Sequence, residues 1–257
     1  MYSTLEALEL RNRYRSALLT TKHKICKLET DQIDVCQAQD AGIRQLPLSL
    51  EQASDRTPFY FTPYEGDFVR PGEDPYPSYK PDTPNHWNIQ GLHWYMQSCL
   101  GQLILHHPPG ICPKSWGQFN FGALFETTYF WKVSSTCTAL AKEPLPHMKC
   151  LMESDAVGDE RLLRGELITI INIMTGRLNT KSLRPHVLAP VMVFSIMGPQ
   201  HLRVLEAFFD GQNLIVRQTR LYDMTEYDAA IIDLLTRWWL GFAAGKTKSV
   251  PNALLLA

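Results

Sequence analysis

The stretch APVMVFSIMGPQHLRVLEAFFDGQNLIVRQT, residues 189–219, carries the clearest secondary-structure pattern in the sequence. Its apolar and β-branched runs are separated by turn residues, which is typical of strands joined by tight connections. Gly198-Pro199 and Asp210-Gly211 mark the connections, and Asp-Gly between apolar runs favours a two-residue hairpin loop. The pattern predicts a three-strand meander with strands over residues 188–197, 202–209 and 213–219.

The predicted hairpin sorts the side chains of its two strands onto two faces of a sheet. With a two-residue loop, Glu206 lies opposite Ile215 and Arg217 becomes its diagonal neighbour, on an otherwise apolar face. Two interpretations are open. The pair is either an ion pair on the solvent side, or part of a ligand cavity in which Glu206 acts as acid or base and Arg217 orients an anion. The second interpretation makes Glu206 and Arg217 the candidate catalytic residues.

Residues 1–44 are predicted to form an N-terminal helix. An apolar stripe recurs there at steps of mostly three and four residues, which is the period of one helix face. It consists of Tyr14, Leu18, Thr21, Ile25, Leu28 and Val35. The helix either lies on its own domain or, because the spacing is near that of a coiled coil, forms a homodimer.

Residues 45–86 change in character, with eight prolines between Gln45 and Pro84. Proline excludes long helices and central strands. Seven aromatic residues alternate with these prolines, whereas a solvated linker would leave such apolar surface exposed. We predict an ordered wrap, or a lid over a pocket, within one domain spanning residues 1–257.

The remaining residues, 87–257, are predicted to form the core of that domain. Helices are expected over residues 87–106, 159–176 and 225–242, and period-two alternation over 119–133 predicts one half-buried strand or two strands around Gly122. The predicted class is therefore α+β, with helices packed on a curved, mainly antiparallel sheet that ends in the meander and a terminal helix.

Composition narrows the classes of partner and compartment. The chain has 25 basic and 26 acidic residues, so the basic excess of a nucleic-acid-binding protein is missing. No signal-peptide pattern and no apolar run of membrane-spanning length is found. The six cysteines are dispersed, which indicates reduced thiols. We expect a cytoplasmic protein that binds neither nucleic acid nor membrane.

Known motifs give no cofactor and no metal. Gly245-Lys246-Thr247 lacks the upstream glycine of a phosphate loop and follows a helix, so we predict no nucleotide site there. Pro81-Asp82 resembles the start of a nuclease site, but no Glu-X-Lys or Asp-X-Lys follows on a predicted strand. A nuclease-like fold without its metal site is therefore left as an alternative.

Aromatic side chains supply the candidate binding residues. Their polar edges and large apolar surfaces suit a pocket for an apolar organic ligand, although a packed core is the simpler interpretation. The candidates for substrate binding are His93, Trp94, Phe119, Trp131 and Phe208.

The segment from Phe194 to Leu214, continuing to Leu221-Tyr222-Asp223, resembles the C-terminal region of uncharacterised proteins from filamentous fungi. Some members of such sets lie among genes of specialised metabolism, which implies work on small molecules. The order of elements is also broadly similar to that of NTF2-like, SnoaL-type cyclases and isomerases. This analogy implies an apolar pocket between a curved sheet and helices, without a cofactor.

Together these observations predict a cofactor-independent enzyme of cyclase or isomerase type acting on an apolar metabolite. It would hold the substrate in a reactive conformation and use one or two acid–base groups. A non-catalytic protein-interaction module and the nuclease-like fold are the alternatives. The interaction module would use the N-terminal helix and the aromatic wrap.

Overall fold

A computed structural model of the chain describes residues 4–51, 54–69, 72–106, 110–114 and 121–250. Its α-helices are α1 (Thr4–Cys26), α2 (Val35–Asp40), α3 (Asn85–His106), α4 (Arg164–Asn179) and α5 (Ala229–Leu240). Its strands are β1 (Gln32–Ile33), β2 (Ile43–Pro47), β3 (Phe61–Thr62), β4 (Ile111–Lys114), β5 (Phe125–Glu126), β6 (Trp131–Ala139), β7 (Met148–Val157), β8 (Leu162–Leu163), β9 (Val191–Gly198), β10 (His201–Phe209), β11 (Leu214–Gln218), β12 (Tyr222–Asp223) and β13 (Phe242–Ala243).

Nine of these strands form one sheet, with seven of them in the order β2-β11-β10-β9-β7-β6-β4. Strand β12 adds to β10, and β5 adds to β6. The β2–β11 and β7–β9 neighbours run parallel, whereas the other pairs in the sheet are antiparallel. The predicted α+β class with a mainly antiparallel sheet is confirmed.

Strand β7 lies inside the sheet, yet no strand is predicted from the sequence for these residues. The parallel β7–β9 pair requires a crossover connection, which α4 provides. Lys149 and Glu153 interrupt the apolar run of β7, and both are almost completely buried. A buried strand with charged side chains lacks the pattern by which strands are recognised.

The sheet is covered by helices on both faces. The α3 face, covered by α3 and α5, carries Lys149, Glu153, Phe194, Glu206 and Arg217. The α4 face, covered by α1 and α4, carries Ser195, Arg203, Val216 and Gln218. No helix within the described residues is long and apolar enough to cross a membrane.

Helix α1 packs along α4 in the same chain. Tyr14, Leu18, Thr21 and Ile25 of the predicted stripe are buried, with Tyr14 packed against Phe209 of the sheet. The helix is shorter than the stripe suggests, because its last turn closes at Cys26 through bonds from Lys27 N and Leu28 N to carbonyls three residues back. A homodimer through this helix stays a prediction.

Two other predicted helices begin later than the sequence pattern suggests. Helix α4 starts at Arg164 instead of residue 159, because Leu162 and Leu163 pair with β1. Helix α5 starts at Ala229 instead of residue 225, where the Asp228 carboxylate accepts from Ala230 N and Ile231 N as an N-cap. The prediction of a helix over residues 87–106 agrees closely with α3.

The predicted strand over residues 119–133 is wrong in its bounds. Within the described residues it consists of the short β5 and the first residues of β6, with a turn between them. Strand β6 then continues to Ala139, and its register with β7 shifts between Val133 and Ser135.

The predicted two-residue hairpin loop is also wrong. The loop between β10 and β11 comprises residues 210–213, so Phe209 lies opposite Leu214. The Asp210 carboxylate accepts from Gln212 N and Asn213 N, both at 2.7 Å, which stabilises the longer turn. Because the register moves by two residues, each side chain keeps its predicted face, but Glu206 lies directly opposite Arg217.

Candidate functional site

Glu206 and Arg217 form a buried ion pair. Arg217 Nη1 donates to Glu206 Oε2 over 2.8 Å, and the Tyr60 backbone N–H donates to Glu206 Oε1 over 2.7 Å. Burial raises the pKa of Glu206, and the bonds from Tyr60 and Arg217 act in the opposite direction. Both carboxylate oxygens therefore have partners within the chain.

The Arg217 guanidinium holds the segment that lies over the sheet. Its Nη1 donates to Thr57 O and its Nη2 to Arg56 O, each over 2.9 Å. The guanidinium carbon lies 3.8 Å from the centre of the Phe59 ring. These contacts give the pair a structural role in anchoring residues 56–60. Its catalytic role stays a prediction.

The predicted substrate-binding residues do not lie together. Phe208 is buried against Phe59 and Tyr60 on the α3 face. Trp131 is buried on the α4 face, where its indole N–H donates to Glu126 over 3.2 Å. Phe119 lies outside the described residues. His93 and Trp94 follow each other in α3, and His93 is buried while Trp94 is 61% exposed.

His93 belongs to a cluster of ionisable side chains on the α3 face. His93 Nδ1 lies 2.7 Å from Glu153 Oε2, and Lys132 Nζ lies 2.6 Å from Glu153 Oε1. Asp155 follows two residues after Glu153 on β7. We call His93, Lys132, Glu153 and Asp155 the acid–base cluster.

Three elements position the acid–base cluster. Lys132 on β6 and Glu153 on β7 are direct partners across the antiparallel pair, so their side chains share a face. Helix α3 packs across β7 and β9 and brings His93 to the same place. The cluster lies towards the C-terminal end of β7. Glu206 lies in another row of the sheet, where Met192 pairs with both Glu206 and Lys149. Four residues of β7 separate that row from Glu153, about 13 Å along the strand.

The two carboxyl groups of the cluster have pKa values shifted in opposite directions. Burial acts to raise the pKa of Glu153, but hydrogen bonds from His93 and Lys132 outweigh it and hold this pKa below its ordinary value. Burial raises the pKa of Asp155, the Glu153 charge adds to this rise, and the charges of His86 and Lys132 oppose it. Such a divided pair is typical of sites that donate and accept protons.

Three polar atoms of the cluster are buried and form no hydrogen bond with another described residue. They are His93 Nε2, Asp155 Oδ1 and Glu153 Oε2, although Glu153 Oε2 lies 2.7 Å from His93 Nδ1. An unpartnered buried polar group costs about 1–3 kcal/mol, so such groups in a native protein often serve a ligand or a reaction. The cluster thus has one proton acceptor and one carboxyl oxygen available to a bound molecule.

The cluster does not have the composition of a metal site. No group of three or more His, Cys, Asp or Glu side chains lies close enough to hold a metal ion within the part of the chain that the structure describes. A metal-dependent nuclease requires at least two carboxylates around a metal, whereas the alternative of a nuclease-like fold without its metal site stays a prediction. Glu153 and Asp155 share a strand, but the two carboxylate oxygens of Glu153 already face His93 and Lys132.

One of the four cluster residues, His93, was predicted from the sequence as a binding residue, together with its exposed neighbour Trp94. Lys132, Glu153 and Asp155 were missed. Recognising β7 as a strand would have placed Glu153 and Asp155 on one face. Comparisons with protein-family models, curated proteins and solved structures find no significant match to the chain.

Proposed function

We propose that the chain is a cofactor-independent acid–base enzyme acting on a small organic molecule, and that His93 moves the proton. The observation that carries this proposal is that the two ring nitrogens of His93 have different surroundings. Nδ1 lies within hydrogen-bonding distance of Glu153, and Nε2 is buried without a hydrogen-bond partner in the part of the chain that the structure describes. A carboxylate beside Nδ1 favours the tautomer with its proton there, which leaves the Nε2 lone pair as the base.

The opposite pKa shifts of Glu153 and Asp155 support this assignment. Glu153 stays ionised and orients the imidazole, whereas Asp155 retains its proton to a higher pH and supplies an acid. Lys132 balances the Glu153 charge from the solvent side, where its side chain is 39% exposed. Proton removal by His93 and proton return by Asp155 are the two steps of a cyclisation or isomerisation that needs no cofactor.

The surroundings of His93 favour an apolar substrate. Trp94 is exposed beside it, and Trp87, two helical turns earlier, is 58% exposed. Because Nε2 is buried, a substrate reaches it only after a neighbouring side chain moves. A role in fungal specialised metabolism is part of the proposal and draws on the resemblance of residues 194–223. A cytoplasmic location is supported by the six cysteines, all of which are free.

The first experiment incubates the protein in D2O with a panel of apolar metabolites and follows deuterium uptake and product formation by mass spectrometry. We expect at least one compound to exchange or rearrange. We expect His93→Gln to lower that rate by about 10²–10⁴-fold, the usual contribution of a general base. His23→Gln, on the exposed side of α1, is the matched control and keeps the wild-type rate.

A second experiment tests the base directly, without a known substrate. Nitrogen chemical shifts of the His93 ring report which nitrogen carries the proton. In the neutral ring we expect the proton to lie on Nδ1, beside Glu153. A neutral ring with its proton on Nε2, or an exchange rate unaffected by His93→Gln, contradicts the proposal and leaves His93–Glu153 as a structural pair.

A further inference from the structure

A cleft of about 540 Å³ lies beside the edge strand β2. Its walls are β2 with the residues that follow it, Glu160, and the end of β11 with residues 219–222. The polar side chains that matter here are those of Gln45, Glu51, Arg56, Glu160, Gln218 and Arg220. We call this the β2 cleft, and its volume is within the range of small-molecule sites.

Two glutamine side chains of the cleft are fixed in the same orientation. Gln45 Nε2 donates to Glu160 O over 2.9 Å, and Gln218 Nε2 donates to the same oxygen over 2.8 Å. A flipped amide would place oxygen against oxygen, so both side-chain oxygens must point away from Glu160. These Oε1 atoms are buried and have no hydrogen-bond partner among the described residues, and Gln218 is only 8% exposed.

The two amide oxygens belong to one site. Gln45 lies opposite Val216 in the parallel β2–β11 pair, and Gln218 is two residues beyond Val216. Side chains two residues apart on a strand share a face, so both amides stand on the α4 face. A pair of buried acceptors without donors favours a ligand that brings N–H groups.

Cationic side chains line the same cleft. The Arg220 guanidinium carbon lies 4.8 Å from the centre of the Tyr222 ring, which holds it against the wall. Neither Arg220 nor Arg56 forms an ion pair with a carboxylate within the described ranges. Guanidinium groups bind carboxylates in two-pronged geometry. The cleft therefore combines anion-binding groups with acceptors for N–H donors.

We propose that the β2 cleft binds a small zwitterion of the amino-acid or short-peptide class. The ligand carboxylate pairs with Arg220 and Arg56, and its ammonium group donates to the Oε1 atoms of Gln45 and Gln218. The carboxylates of Glu51 and Glu160 add favourable charge for the ammonium. This site is separate from the acid–base cluster, because the two glutamines stand on the α4 face and His93 on the α3 face.

The test is a titration of the whole protein, labelled with 15N, with dialanine up to about 10 mM, a concentration at which millimolar affinities are measurable. We expect amide resonances of residues 45–51 and 218–222 to shift in a saturable way. N-acetyl-dialanine lacks the ammonium and dialaninamide lacks the carboxylate. Each is expected to bind at least about tenfold more weakly, which corresponds to the loss of one charged contact.

Variants tie the binding to the named residues. Arg220 is exposed, so Arg220→Ala leaves the fold intact and is expected to weaken dialanine binding at least about tenfold. Arg184→Ala, at an exposed arginine outside the cleft, keeps the wild-type affinity. No saturable shift with dialanine, equal affinity of Arg220→Ala and wild type, or equal binding of acetate and dialanine would each overturn the proposal.

Discussion

Arg11 and Arg164 cap each other's helices. Arg11, near the start of α1, donates to the carbonyls of Leu178, Thr180, Leu183 and His186 at and after the C-terminal end of α4. Arg164, in the first turn of α4, donates to Ile25 O and Leu28 O at the end of α1 over 2.8 and 2.9 Å. Buried cations thus complement the negative ends of both dipoles of this helix pair.

Replacing Arg11 with Met is expected to lower the free energy of unfolding by about 3 kcal/mol, because several buried carbonyls lose their donors at once. Urea unfolding measures this change. Arg13→Met, at an exposed position of the same helix, serves as the control and changes stability by less than about 0.5 kcal/mol. Similar losses in the two variants would contradict the capping role of Arg11.

The Glu206–Arg217 pair gives a second prediction. Glu206→Gln leaves the Arg217 charge buried without a counterion, so we expect a loss of about 3–5 kcal/mol in unfolding free energy. Residues 56–60 should then become sensitive to limited proteolysis, whereas the exposed Glu226→Gln leaves both readouts unchanged. Wild-type stability combined with lost activity would instead support a catalytic role for Glu206.

The acid sensitivity of the fold should depend on His147. Burial lowers the pKa of His147 to about 4, and Nε2 faces Ala244 O over 2.8 Å while Nδ1 is buried without a partner among the described residues. An unfolded chain takes up this proton near pH 6.5, so it binds more protons than the folded state between pH 6.5 and 4. Stability therefore falls as the pH is lowered through this window.

The size of that loss is about 3.5 kcal/mol, since each of the two and a half pH units contributes about 1.4 kcal/mol. Unfolding free energies measured at steps from pH 7 to pH 4 test it. In His147→Gln this part of the pH dependence of the unfolding free energy should be missing, and in His23→Gln it should be retained. Parallel pH profiles for wild type and His147→Gln would exclude His147 as the cause.

Trp131 and Gly165 provide a test of packing. A Cβ atom on Gly165 would lie 2.4 Å from the Trp131 ring, far inside contact distance. Gly165→Ala is therefore expected to cost about 1–3 kcal/mol through overpacking, and adding Trp131→Leu should recover part of that loss. Gly72→Ala is the control, because no atom lies within 4 Å of its added Cβ. Equal stability of the two alanine variants would show that the Trp131 ring moves freely.

The sequence predicted the meander β9-β10-β11 better than the neighbouring strand β7. The faces of β10 and β11 were predicted correctly although the loop length was wrong, because a shift of two residues preserves the alternation. The hairpin is a local structure whose signal lies within 20 residues. Its turn residues and apolar runs are all visible in the sequence.

Strand β7 could not be predicted in this way. The Lys149 ammonium is satisfied by carbonyls of Trp238, Trp239 and Gly241, about ninety residues further along the chain. Glu153 likewise pairs with His93 and Lys132. Partners so distant leave no local pattern, and a charged side chain alone indicates exposure. The acid–base cluster was missed for the same reason, apart from His93.

The parallel pairing of β2 with β11 has a consequence for synthesis of the protein. Ile43 pairs with Leu214, so this edge of the sheet closes only after about 170 further residues have been made. At translation rates of roughly 5–20 residues per second, β2 waits about 10–35 s for its neighbour. During that interval this edge of the sheet cannot close, and β2 stays open to pairing with another chain.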